Sequence, residues 1–514
     1  MVLYYVLWLC AFFLVIGLVA LVSYVGYAFG YRRYIYRHIP GPPISDFSHF
    51  IKGHADEIFK TIEDGYPLDH YLLECHKRYG NVILVWLFHE PLLSVTGPEL
   101  VKETLVTNNF PKSSKLFACG VRLFGARLAG HGLITNFDHE NWIKRREYMN
   151  PAFHRRYLKN LVPVFNQCCA TFERKLERVA DGKTKVKFLD ELASLTLDVI
   201  AEAAYGANFD IVNNPNSRFP TAFNLTMQGM ELFAYQPFHW LDFRTFAFQR
   251  KVVEACHFLR KTGHELIARR RQEIASGVAV PSDILTFTLK SGEKDALLSD
   301  EDLVDELVTT FYAGHETTAR TLSFVLMELA FHPECKAKLT EEILRVLPED
   351  RDVTNEDLPK LQYTWMCIRE SLRMYPIAAG LRRFIDKPRV ILDGYEIPAN
   401  TDLYVSSYVS ARLPENFDEP EVFKPERWLS EDVTTGSRLT AFPFSVGFRT
   451  CIGQTFAQME SKILLSRILR KFVIDLVPGH SKKVSQRITI EPRDRIECFL
   501  TKREKRAEVK SNVE

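Results

Sequence analysis

The sequence predicts a mainly α protein with small β-sheets, one large domain carried behind a single N-terminal transmembrane helix. Three observations predict it: an apolar, charge-free run opens the chain, helical periodicity dominates the remainder, and strand-like segments are short and scattered. With 46% hydrophobic and 25% charged residues among 514, the composition is that of a folded protein, which excludes wholesale disorder and low-complexity structure. Lys+Arg 66 against Asp+Glu 64 leaves a net charge of +2, so nothing global calls for nucleic acid as a partner. The ten cysteines show no C-x-x-C spacing, the usage of reduced, mostly buried thiols facing a reducing compartment. Phe 37 and Tyr 20 supply bulk for a large core or an apolar ligand cavity.

Val2 to Gly30 carries no charge and covers the roughly 20 residues a bilayer-spanning helix needs. Arg32, Arg33, Arg37 and His38 follow at once, so the C-terminal flank should stay cytosolic. A cleaved signal peptide fits less well, because the run exceeds an h-region and no basic n-region precedes it. Residues 1–30 are therefore expected to be a signal anchor. Residues 31–55, with PGPP at Pro40 to Pro43, should form a basic, proline-rich hinge. The body is expected over 56–502, and a polar, frayed tail over 503–514.

In the body, apolar residues at helical spacing predict helices over Leu158 to Val179, Phe248 to Ile274, Asp302 to Phe331, Pro333 to Leu347, Leu358 to Tyr375 and Thr455 to Phe472. Strand signals are NVILVWL near Asn81, PLLSV near Pro91 and RVILDGYEI from Arg389. The last two lie far apart, so sheets must be assembled from distant pieces.

The chemistry concentrates in FPFSVGFRTCIGQTFAQME, Phe442 to Glu460. Cys451 stands at the entry of a helix, where N–H groups and the dipole favour thiolate over thiol. A lone axial thiolate is the ligand that pushes electron density onto haem iron. Gly447 permits a tight bulge before it, and Gly453 a close approach to a flat macrocycle. Phe444 can shield the sulfur, and Arg449 can pair with a haem carboxylate. A lone cysteine is usually an inert buried thiol, but the string F-x-x-G-x-R-x-C-x-G requires five coincident positions.

On these residues the chain resembles the cytochrome P-450 superfamily, over nearly all of its body and with motifs in the expected order. The resemblance implies that family's fold, haem b ligated through Cys451, dioxygen as co-substrate, and monooxygenation of an unactivated C–H bond. It also gives meaning to FYAGHETTA (Phe311 to Ala319). There Glu316 and Thr317 would relay protons, with Ala313 and Gly314 over the haem face. A glycine followed by an acid and two threonines is poor helix design, so the helix should open locally. A zinc H-E-x-x-H site is excluded, because Ala319 occupies the second histidine position. Glu370 and Arg373, an i, i+3 pair, with Arg427 of FKPERW, resemble the family's buried structural triad. Trp142 and Arg146 resemble its propionate-binding pair, and Arg383 its second propionate contact, with Arg382 beside it left open. Lys144 and Arg145 would belong to a basic docking surface.

No flavin or Rossmann fingerprint occurs, so electrons must come from another protein. The resemblance implies NADPH–cytochrome P-450 reductase, with cytochrome b5 as a second candidate donor, at the endoplasmic reticulum membrane with the body facing the cytosol. Stretches around the two main motifs, and YRHIPGPP, are most similar to the cholesterol 24-hydroxylases, implying a sterol side chain as substrate. Phe117, Phe124, Ile134, Ala313 and Ala378 would line its apolar pocket. Ile377 and Ala379 depart from that group's pattern beside the pocket. Fatty-acid ω-hydroxylation is the alternative within the class, and a haem sensor or electron carrier the alternative outside it.

Overall fold

The computed structural model describes residues 1–504 apart from 215, 237–238, 293–297 and 430–436. Most of the expected tail, residues 505–514, lies outside the described residues. The fold is mainly helical with small sheets, and it packs as two compact units.

The smaller unit comprises Met1–Ser113 and Gly380–Asp418. Its first helix, Val2–Val25, continues through a wide turn, Gly26–Tyr31, into Arg32–Tyr36. Among the described residues this is the one helix long and apolar enough to cross a membrane. The basic residues after the run are not simply solvated. Arg32 pairs with Glu90 at 3.0 Å, the Arg33 guanidinium lies 4.6 Å from the Phe50 ring, and Tyr36 bonds Thr401 at 2.7 Å. The proline-rich segment is docked as well, for Leu84 N–H donates to the Pro40 carbonyl at 2.8 Å.

The sheet of this unit runs Val82–Leu87, Glu90–Val95, Thr401–Ser406, Gly380–Ile385. The outer pairs are antiparallel and the central pair parallel, with Ser94 opposite Tyr404. Distant pieces do assemble, but the late partners are not those the sequence signals suggest. RVILDGYEI closes on itself as a hairpin, Val390–Leu392 with Tyr395–Ile397. The Asp393–Gly394 turn, both residues at positive φ, makes local pairing easier than reaching a distant edge.

The larger unit comprises Ser114–Ala379 and Glu419–Glu514. Its axis is the central helix, Asp300–Phe331, 32 residues long. It starts two residues earlier than periodicity suggests because Ser299 and Asp302 form a capping box and three acids fill the first turn. It stops at His332, where Pro333 opens the next helix. Helices Phe188–Tyr205, Phe246–Ala275, Gln362–Met374 and Gln454–Lys471 pack against it. Phe219 and Phe223 set their rings 5.1 and 6.0 Å from Phe311. Helix Gln362–Met374 begins four residues later than its pattern, after the turns that end at Lys360.

Glu370, on that helix, is fully buried and accepts five hydrogen bonds: two from Arg373 (3.0 and 2.9 Å), one from Arg427 (2.9 Å), one from the Trp428 indole (3.0 Å) and one from the Lys424 amide (3.1 Å). Two guanidiniums share one carboxylate, so this is no solvated surface pair. Glu370→Ala takes the shared carboxylate from both cations and is expected to cost about 3–5 kcal/mol; Glu370→Gln, which keeps an acceptor oxygen, should cost less. Chemical denaturation of both variants beside the parent checks the order.

Candidate functional site

The loop before helix Gln454–Lys471 is shaped by two left-handed residues, Ser445 (φ 65°) and Gly447 (φ 76°). Gly447 thus forms the expected bulge. The turn is closed by Cys451 N–H to the Phe444 carbonyl at 2.9 Å and by Thr450 Oγ1 to the Gly447 carbonyl at 2.7 Å. Phe444 is half-buried against the core. Gly453 caps the helix, and the one atom a Cβ there would meet is Cys451 Sγ at 3.9 Å.

The Cys451 side chain is exposed to solvent. Burial raises its thiol above the ordinary cysteine value, and a Gly453 hydrogen bond and the Arg146 charge only partly oppose that. The Gly453 N–H at the helix start acts in the expected direction, towards thiolate, while desolvation acts against it. An anionic sulfur at this position needs a metal bonded to it, which deprotonates a thiol outright.

Around the sulfur stand two guanidiniums. Arg449 donates to the Asn136 carbonyl at 3.2 Å and lies 4.3 Å from the Trp142 ring, and its Nη2 is buried with no hydrogen-bond partner among the described residues. Burial pushes its pKa down to about 10. Arg146 donates to the Thr450 carbonyl at 2.7 Å and to Asn150 at 2.8 Å. It too is lowered by burial, while the neighbouring Cys451 acts in the opposite direction. Among the described residues neither is in an ion pair. Trp142 is buried, and its indole N–H is already given to the Leu133 carbonyl at 3.2 Å. Its ring also lies against both guanidiniums, 5.9 Å from Arg146 and 4.3 Å from Arg449. This donor set fits haem: a sulfur for the iron and unneutralised cations for its carboxylates.

On the central helix the expected opening is absent, and the helix is regular from Asp300 to Phe331. Thr317 Oγ1 returns to the Ala313 carbonyl at 2.6 Å, so hydroxyl back-bonding is accommodated inside a continuous helix. Gly314 faces helix Phe188–Tyr205: a Cβ there would meet Ile200 at 2.7 Å, so its smallness serves close helix packing. Nearby, Thr196 donates to the His315 carbonyl at 2.9 Å. His315 is buried, bonded to the Phe311 carbonyl and pushed down to about 4, hence neutral.

Glu316 points into an ion-pair chain that sequence reading missed. It meets Arg320 at 2.6 Å, Arg320 meets Glu491 at 2.9 Å, and Glu491 meets Arg487 and Arg495 at 3.1 and 3.3 Å. Arg320 was findable as the i+4 partner of Glu316, whereas Glu491 lies far along the chain. Burial raises the Glu316 carboxyl above its ordinary value, and Arg320 opposes the rise.

Other expectations fall elsewhere. Arg145 is buried and bonded to Asp302 and Glu306, so it is no part of an exposed basic surface, although Lys144 is exposed. Arg383 lies in the smaller unit, buried on strand Gly380–Ile385 and donating to the Arg382 carbonyl at 3.0 Å. Phe124, at φ 49°, packs its ring 5.2 Å from His239 and 6.4 Å from Phe233. Phe117 and Ala313 are half-buried, and Ile134 and Ala378 exposed.

Fold and site together are those of a haem-thiolate protein. Residues 55–497 match the family described as Cytochrome P450, and the chain belongs to it. It is 30% identical over 511 residues to "Cytochrome P450 4d2" of Drosophila melanogaster, covering 95% of this chain and 99% of that one. It is 28% identical over 508 residues to "Lithocholate 6-beta-hydroxylase" of Mesocricetus auratus, covering 96% of each, and 30% identical over 413 residues to "Cytochrome P450 3A29" of Sus scrofa, covering 79% and 81%. As a member of this family the protein is a haem-dependent monooxygenase acting on lipophilic substrates.

Removing Arg320 takes from Glu316 its one ion-pair partner among the described residues. In Arg320→Met the folded-state pKa of Glu316, already raised by burial, rises further. A carboxyl raised in the fold loses stability as pH increases through its folded pKa. The deficit of Arg320→Met relative to the parent is therefore expected to be smaller near pH 5 than near pH 8 (about the lower and upper ends of the useful range). Thermal midpoints across that range check it.

Proposed function

We propose that this protein hydroxylates the side chain of a sterol, anchored by residues 1–30 in the endoplasmic reticulum membrane with residues 56–502 in the cytosol as the catalytic body. The observation that supports the site is a pair of half-buried guanidiniums, Arg146 and Arg449, near Cys451 in sequence or by charge, neither in an ion pair among the described residues, with Arg449 Nη2 buried and lacking a hydrogen-bond partner among them. Cys451 is the proposed axial ligand, and Arg146 and Arg449 the proposed carboxylate contacts. Bound haem b would supply oxygen activation, with electrons from NADPH through a reductase.

The chain's own residues have defined tasks in this reading. Phe444 and the Phe444–Cys451 backbone bond hold the sulfur at one height above the helix start. Glu316, which keeps its proton more readily than an ordinary glutamate, holds that proton on a carboxyl oriented by Arg320, which Glu491 in turn holds in place. Thr317 presents its hydroxyl one residue further on, held in one rotamer by the Ala313 carbonyl. The sterol reading is supported by the motif-flanking stretches similar to cholesterol 24-hydroxylases. It is also supported by a relative named for hydroxylating lithocholate, a steroid. The single apolar N-terminal helix with Arg32, Arg33 and Arg37 behind it supports the membrane orientation.

Reconstituted with reductase, the protein is expected to give a sterol-induced spectral shift and a side-chain hydroxylated product, and no product from fatty acids. A shift and turnover with fatty acids alone would overturn the substrate. Cys451→Ala should abolish the red-shifted ferrous carbonyl band. Thr317→Ala should lower product by about 10-fold or more and raise peroxide release, measured as the ratio of peroxide to product.

A further inference from the structure

Helix Gln454–Lys471 carries a second group whose placement the site chemistry leaves unused. Phe456, Glu460 and Leu464 follow one another at i, i+4 and all are buried, so a carboxyl sits within an otherwise apolar stripe. Glu460 has no accessible surface at all. Its Oε2 accepts from Thr318 Oγ1 of the central helix at 2.9 Å, and its Oε1 has no hydrogen-bond partner among the described residues. The groups facing it are few: Thr318 from the central helix and the Cys168 thiol from helix Val162–Glu177. No cation reaches it among the described residues, and on its own helix Lys462 turns away to the Leu358 carbonyl at 2.8 Å. A charged carboxylate in such a place would be held by one hydroxyl, far short of what a buried anion needs.

The position of the contact gives it a task. Thr318 follows Glu316 and Thr317 directly, and Glu460 lies two turns into the helix that starts beside Cys451. We propose that Glu460, as a neutral acid, is a positioning residue: its hydrogen bond with Thr318 fixes the helix that begins at Cys451 against the segment of the central helix that carries Glu316 and Thr317. This rests on the reading of Cys451 as the metal ligand. Burial raises the Glu460 carboxyl from 4.5 to about 8. The sign follows: stability that the neutral acid contributes is complete below the unfolded value and is lost as pH rises through the folded one.

The test uses the purified holoenzyme as wild type, Glu460→Gln, Glu460→Ala and Thr318→Val. Thermal midpoints are followed from about pH 5 to about pH 9, together with the fraction of ferrous carbonyl complex showing the red-shifted band. Glu460→Gln keeps an acceptor and cannot ionise. Its midpoint should match wild type at the acid end, exceed it by a growing margin of a few degrees up to pH 8, and then run parallel. Glu460→Ala and Thr318→Val should lose a substantial part of the red-shifted band at every pH, while Glu460→Gln retains it. A Glu460→Gln profile parallel to wild type throughout, or a full band in Thr318→Val, overturns the proposal. Should wild type itself lack the band while the Glu460→Gln margin grows as expected, the fault lies with the reading of Cys451 and not with the neutral state of Glu460.

Discussion

A guanidinium enclosed in protein must find an anion or remain a cost to the fold. The larger unit meets that requirement repeatedly: Arg145 with Glu306, Arg260 with Asp305, Arg270 with Asp283, Arg373 with Glu370 and Arg467 with Glu173. Each of these arginines is buried, and all but Arg373, whose partner lies one turn away on its own helix, pair with a carboxylate on a different segment. Beside Cys451 the requirement is not met. Arg146 and Arg449 have carbonyl oxygens and the Trp142 ring for company, and no carboxylate among the described residues. These two half-buried arginines differ from the fully buried ones in having hydrogen bonds but no ion pair among the described residues.

The central helix resolves a conflict that its sequence poses. Gly314, Thr317 and Thr318 each lower helix propensity, yet the helix is unbroken because tertiary contacts use Gly314 and Thr318 and an intrahelical bond accommodates Thr317. Gly314 makes room for Ile200, Thr317 folds its hydroxyl onto the Ala313 carbonyl, and Thr318 reaches across to Glu460. Local propensity loses to packing on several sides, as is usual for a buried helix. The residues that weaken the helix in isolation are those that attach it to its neighbours.

What was legible in the sequence follows the range of the forces involved. Helices with one apolar face, such as Phe246–Ala275 and Pro333–Val346, announce themselves within an end residue or two. Helix Phe188–Tyr205 escaped notice because twelve of its 18 residues are buried, on more than one face, which erases the two-sided pattern. Strands Gly380–Ile385 and Thr401–Ser406 also escaped: they pair with each other around an intervening hairpin, and Thr401–Ser406 pairs with Glu90–Val95 across roughly three hundred residues, which leaves no local mark. At the site, the five-position string around Cys451 located the loop and its cations. Which side chain pairs with which could not be read: Arg145 looks like surface and is buried, Trp142 looks like a free donor and is engaged, and Glu491 bears no sequence relation to Glu316.

The two anomalies at Cys451 have one solution between them. The sulfur is desolvated enough that its thiol is favoured, so alone it would carry no charge. The guanidiniums are desolvated enough that their cationic form is disfavoured relative to water, so alone they too are costly. A ligand that brought only anions would satisfy the arginines and leave the sulfur protonated, and a bare metal ion would deprotonate the sulfur while repelling the arginines. Haem held by Cys451, Arg146 and Arg449 would relieve both, supplying a cation for the sulfur and anions for the guanidiniums. Ligation and electrostatic compensation are then one step. The residues spaced along F-x-x-G-x-R-x-C-x-G thus amount to a charge arrangement as much as a motif.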